Sequence, residues 1–136
     1  MSIESYIHSV LVADAAVAAL VGSGTSAKVY FVILPQGATY PAISITKISG
    51  IRDNDLEGPT GFANPRIQVD CWAQTYTQLA SLAAAVRKAL SGHVGGDDGI
   101  SVRSVILNNE TDFYEDTPKA FRKSLDFLVW HNEATA

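Results

Sequence analysis

The run Phe121-Arg122-Lys123-Ser124-Leu125-Asp126-Phe127-Leu128-Val129-Trp130-His131 decides how this chain is read. Leu125, Phe127 and Val129 alternate with Ser124, Asp126 and Leu128. A period of two puts one set of side chains on a buried face and the other set opposite it, which is a strand. The run lies near the end of the sequence, so it is expected to close a sheet. Just before it comes an acidic, aromatic patch, Asp112-Phe113-Tyr114-Glu115-Asp116.

Working outward, Arg66 to Ala73 is another strand, with Ile67, Val69 and Cys71 on one side and Arg66, Gln68, Asp70 and Trp72 on the other. Thr75 and Gln78 have the spacing of a capping box. The helix they start, over 75–91, carries Leu79, Leu82, Ala83, Val86 and Leu90 on one face. Arg87 and Lys88 suit its C-terminal dipole and Gly92 ends it. Residues 28–33 and the stretch after Pro41, with Ile43 and Ile45, read as two earlier strands, and Ile100 to Leu107 as a fourth.

Ser2 caps a first helix with Ile3, Ile7, Val10 and Leu11 on one face. Asp14 caps or continues it, Val17, Leu20 and Val21 extend the stripe, and Gly22 stops it. Residues 50–64, rich in Gly and Pro and acidic at the centre, are expected to form a long loop that a neighbour orders.

The element order is then α-β-β-β-α-β-β. It predicts an α+β fold: one largely antiparallel sheet of about five strands with the 75–91 helix across one face. The other face needs cover, from the N-terminal helix or from a neighbouring subunit. No repeat or linker divides the chain, so 1–136 is expected to be one domain.

Composition narrows the function. Hydrophobic residues make up 47% of the 136, which excludes a disordered chain, and charged residues only 18%. So few charges suggest that part of the surface is covered by a partner. The formal net charge is -4 and the basic residues are scattered, so no specific nucleic-acid binding is expected. No apolar run approaches the ~20 residues of a membrane span, Glu4 and His8 interrupt any signal-like start, and the lone Cys71 suits a reducing compartment.

Candidate chemistry is thin. Asp53-Asn54-Asp55-Leu56-Glu57-Gly58 begins like a calcium loop, but position twelve would be Asn64, which cannot supply the bidentate carboxylate. Cys71 lies on the apolar side of its strand and reads as a buried thiol rather than a nucleophile. His8, His93 and His131 show no metal-ligand spacing and read as surface or helix-face residues. No glycine loop fits a phosphate site. The chain is therefore expected to be no enzyme, with no cofactor and no metal. Trp72 and Trp130, on the faces opposite the apolar residues, fit either a second core layer or anchors in a subunit contact.

Six pieces in order carry a resemblance. They are Ala-Asp-Ala-Ala-Val-Ala-Ala-Leu-Val-Gly (13–22), Leu-Pro-Gln-Gly-Ala (34–38) before Pro41, and Arg-Ile-Gln-Val-Asp-Cys-Trp-Ala (66–73). Then come Val-Arg-Lys-Ala-Leu-Ser-Gly (86–92), Asp-Phe-Tyr-Glu-Asp (112–116) and Leu-Asp-Phe-Leu-Val-Trp (125–130). Together they resemble the tail completion family of long-tailed phages and prophages, which is similar to tail terminators and head-to-tail joining proteins.

The resemblance implies a non-enzymatic virion part that assembles in the bacterial host cytoplasm into a ring, hexameric in relatives. Its partners would be itself, the tail tube protein and the head connector protein, with DNA passing through the bore. Arg52, Asp53, Asp55, Glu57, Trp72, Asp126 and Trp130 are the candidate contact residues, and Asp126→Lys is expected to leave a folded monomer that cannot assemble. The alternative is a small-ligand or calcium-binding α+β module without catalysis.

Overall fold

The computed structural model describes residues 2–50, 52–56, 58–97, 99–115 and 120–132, and of 52–55 and 58–61 the backbone alone. Glu57 and Asp116, both singled out by the sequence, lie outside the described residues.

The N-terminal stripe forms two helices, α1 (Ile3–Ala13) and α2 (Ala15–Val21). Ser2 Oγ accepts from the Ser5 N–H at 3.1 Å, and Asp14 Oδ1 accepts from the Val17 N–H at 3.1 Å. Each satisfies one of the amide groups that a helix start leaves unpaired. Asp14 therefore ends one helix and caps the next. α3 (Tyr76–Leu90) starts at the expected cap, with Thr75 Oγ1 accepting from the Gln78 N–H at 3.2 Å.

The strands are β1 (Val29–Phe31), β2 (Ala42–Ser49), β3 (Arg52–Asp55), β4 (Gly58–Ala63), β5 (Arg66–Ala73), β6 (Gly95–Asp97), β7 (Ile100–Glu115) and β8 (Ala120–Asn132). All eight belong to one sheet, antiparallel except for the parallel β1–β2 pair. The fold class is α+β as expected, but the expectation of about five strands is too low.

Register explains the difference. β5 pairs with β8 from Ala73↔Phe121 to Arg66↔Leu128, and β4 pairs with the same strand at Ala63↔His131 and Phe62↔Asn132. Between them the Val129 N–H donates to the Pro65 carbonyl at 3.0 Å. The register never slips, so residues 58–73 are one long strand interrupted at Asn64–Pro65, where Pro65 lacks a donor. Likewise β2 pairs with β5 and β3 with β4. Residues 52–55 and 58–63, expected to lie in a loop, are instead strands at the end of a long hairpin, paired as far as Asp55↔Gly58. β7 and β8 form a second long hairpin, paired from Val102↔His131 to Glu115↔Ala120. The acidic patch at 112–115 is thus strand, not turn.

The two hairpins share the β5–β8 seam and point in opposite directions. β3 and β4 run on past the end of β8, and β7 ends opposite its beginning, at Glu115↔Ala120.

The core lies on one face of this sheet. Ile43, Ile45, Ile67, Val69, Leu125, Phe127 and Val129 meet Leu79, Leu82, Ala83 and Val86 of α3 and Ile3, Ile7 and Leu11 of α1 in one buried cluster. Each fully buried Leu, Ile or Phe contributes roughly 1.5–3 kcal/mol. All three helices therefore cover the same face. The N-terminal helix does not cover the other one, which corrects the first of the two expected sources of cover.

Candidate functional site

The face turned away from the helices carries the polar half of each alternating strand. From β5 come Arg66, Gln68, Asp70 and Trp72; from β8, Arg122, Asp126 and Trp130; from β7, Phe113 and Glu115. The geometry follows from the pleat, since cross-strand neighbours on one face lie about 5 Å apart.

Arg122 organises one end. Its guanidinium reaches Glu115 Oε1 at 3.1 Å and Asp70 Oδ1 at 3.5 Å, and lies 4.3 Å from the Phe113 ring centre and 5.4 Å from that of Trp72. Trp72 Nε1 points to Ser44 Oγ at 3.4 Å. Beside this cluster, residues 32–38 of the β1–β2 connection overhang a cavity of about 680 Å³. Val32 there has φ 67, left-handed backbone that a β-branched side chain rarely adopts. That turn ends β1 two residues earlier than the 28–33 pattern predicts.

Asp126 organises the middle. Its Oδ2 accepts from Arg66 at 2.6 Å and from the Asn108 amide at 3.3 Å. The hydrogen bond and charge of Asp126 raise the Arg66 guanidinium above its ordinary range. Asp126 Oδ1 is buried with no hydrogen-bond partner among the described residues. Asp126 is 8% exposed, so it is an internal ion-pair partner rather than a free surface carboxylate. At the far end Trp130 stacks on Phe62, 6.1 Å between ring centres, with Arg103 over Phe62.

The sequence candidates are therefore split. Trp72, Asp126 and Trp130 share the open face, at its two ends and its middle. The backbones of Arg52, Asp53 and Asp55 lie in β3, near Trp130 and far from Trp72. Asp53 and Asp55 sit in an extended strand, which does not wrap an ion as a calcium loop must. Among the described residues, no group of three or more His, Cys, Asp or Glu could hold a metal ion.

Cys71 is fully buried, and burial together with Asp70 pushes its thiol far above the usual range despite Lys123. It is the inert core thiol the sequence predicts. The histidines are apart: His8 donates to the Val29 carbonyl, His93 pairs with Tyr6 Oη at 2.8 Å, and His131 is buried. His131 is thus not the surface residue expected.

A second polar cluster, missed from sequence, fastens α3 to β7. Tyr76 Oη donates to Asp112 at 2.9 Å, Lys123 Nζ lies 3.0 Å from Asp112, and Arg87 reaches Glu110 at 3.2 Å. The spacing of Glu110 and Asp112, two residues apart on one strand face, was the available signal. The Lys123 hydrogen bond holds the Asp112 carboxyl below its usual range. Burial pulls the Lys123 ammonium down, but the hydrogen bond and charge of Asp112 outweigh it and leave it raised.

The signs then follow. Asp112 stabilises the fold above its ordinary value near 3.9, and that stabilisation is lost as pH falls through the lower folded value. Asp112→Asn should therefore have a lower urea midpoint than the parent at pH 7, with the gap closing as pH falls through the lowered folded value. An equal gap above and below that value would contradict the Asp112–Lys123 contact. Asp112 is half-exposed, so the effect is modest.

A family model described as tail completion protein gp17 matches residues 5–132. Among solved structures, a chain from the virion of a native gene transfer agent particle superposes with a TM-score of 0.77 at 20% identity. The alignment covers 96% of this chain and 95% of that one. At that identity the likeness is one of fold. No curated protein matches the sequence significantly.

Proposed function

The chain belongs to the tail completion protein gp17 family, and from that premise we propose that it assembles as a ring at the end of a phage or prophage tail, joining tail to head. Membership makes it a virion structural protein of the phage tail. The finer reading adds six copies, contacts with the tail tube protein and the head connector protein, and passage of DNA through the bore. The family match over residues 5–132 carries it.

The open polar face supports a structural rather than a chemical task. Its charges neutralise one another in Arg66–Asp126 and Arg122–Glu115 pairs instead of converging on a substrate position. Arg52, Asp53 and Asp55, in β3 at one hairpin end, remain proposed contacts, as does Glu57, which lies outside the described residues. Trp72, Asp126 and Trp130 contribute by shaping the face between the hairpins. The net charge of -4 suits a bore through which a polyanion slides without being gripped.

Deleting the gene should give filled heads and separate tails in electron micrographs of lysates. Tail-joined, infectious particles from the deletion strain would overturn the proposal. No observation favours the calcium-module alternative, since its loop is part of a hairpin.

A further inference from the structure

We propose that the outer edge of β7 in one copy pairs, antiparallel, with the outer edge of β2–β3 in the next copy. This deepens the ring reading and rests on it.

Both edges are bare over long stretches among the described residues. β1 covers β2 only at 43–45, which leaves 46–49 and 52–55 without a strand on that side. β6 covers β7 only at 100–102, and the Gly92 N–H reaches the Val105 carbonyl. From 106 to 115 the outer side of β7 has no strand. A long edge with unpaired N–H and C=O groups is a template for another strand.

Exposed apolar side chains gather at these same edges. Ile48 lies on the first bare stretch, and Ile106, Phe113 and Tyr114 on the second. Each is 42% exposed or more.

Strand direction selects the partner. β2 opposes β5, β5 opposes β8, and β8 opposes β7, so β2 and β7 run in opposite directions. Copies set side by side in one orientation, as in a closed ring, therefore bring β7 against the next β2–β3 in antiparallel sense. No copy has to be inverted. The bare stretches lie at opposite ends of the sheet, so neighbours must be offset along the strands, as in a closed sheet of tilted strands.

Two variants test this, Asp53→Cys and Thr111→Cys, with native Cys71 buried and unreactive. Each is purified, checked for unchanged circular dichroism, concentrated, and treated with a short bismaleimide alone or mixed. Assembly is measured in parallel by sedimentation. The mixture should give a cross-linked dimer absent from either variant alone, and the double variant a ladder ending at the ring.

Assembly without the mixed cross-link would overturn the edge pairing and leave the ring. Cross-linking of Thr111→Cys alone would mean like edges meet, and would overturn it too. Neither assembly nor cross-link at the highest concentration would overturn both.

Discussion

Phe127→Ala should remove about 3–5 kcal/mol of stability, the cost of emptying a buried aromatic site. Phe127 is 1% exposed, pairs with Ile67 and Leu107 across both neighbouring strands, and belongs to the buried cluster under α3. It sits on β8, one of the two strands of the seam that joins the hairpins. A domain of this size has ~5–15 kcal/mol in all, so the variant should be largely insoluble on expression. Urea unfolding of whatever is recovered gives the number. Ile106→Ala, 57% exposed on the next strand, should cost under about 0.5 kcal/mol. A Phe127→Ala loss as small as that would refute the position of the core.

Asp126→Lys is expected to fail as a protein, not only as a subunit. From sequence, Asp126 is a surface residue whose reversal spares the fold. In the structure it is buried and holds Arg66 at 2.6 Å. Lysine there would face a guanidinium and leave the Asn108 amide without its acceptor. Breaking a buried ion pair by losing one partner costs several kcal/mol, and the open side of this one lowers that to roughly 3 kcal/mol. Asp126→Asn, of equal size and uncharged, should cost less than half as much. The readouts are the urea midpoints of both variants. An Asp126→Lys midpoint equal to the parent's would return Asp126 to the surface and to the subunit contact.

What sequence could show depended on local pattern. The 66–73 and 121–131 strands were legible because both alternate cleanly over their length. The three caps were legible because a hydroxyl or carboxylate meets an amide three residues away. β3 was hidden because Arg52-Asp53-Asn54-Asp55 has little strand propensity. It is extended because pairing with β4 fixes its register. The tail of β7 was hidden in part by Asn108 and Asn109, although Thr111, Phe113 and Glu115 alternate with Asp112 and Tyr114. The proposed contact residues fared unevenly for the same reason. Periodicity put Trp72, Asp126 and Trp130 on one face, but it could not show that Asp126 is already paired, because Arg66 lies 60 residues away.

The shared seam also sets an order of events in folding. Each hairpin is local: two residues separate β3 from β4 in sequence, and four separate β7 from β8. Such hairpins form in microseconds. The β5–β8 seam is different, because Ala73 and Phe121 meet only after the whole stretch carrying α3 has looped back. Until then Leu125, Phe127 and Val129 stay in water, on a long strand open at one edge. The step that joins the hairpins is therefore the slow one. A newly made chain runs its greatest risk of sticking to another before its seam is shut.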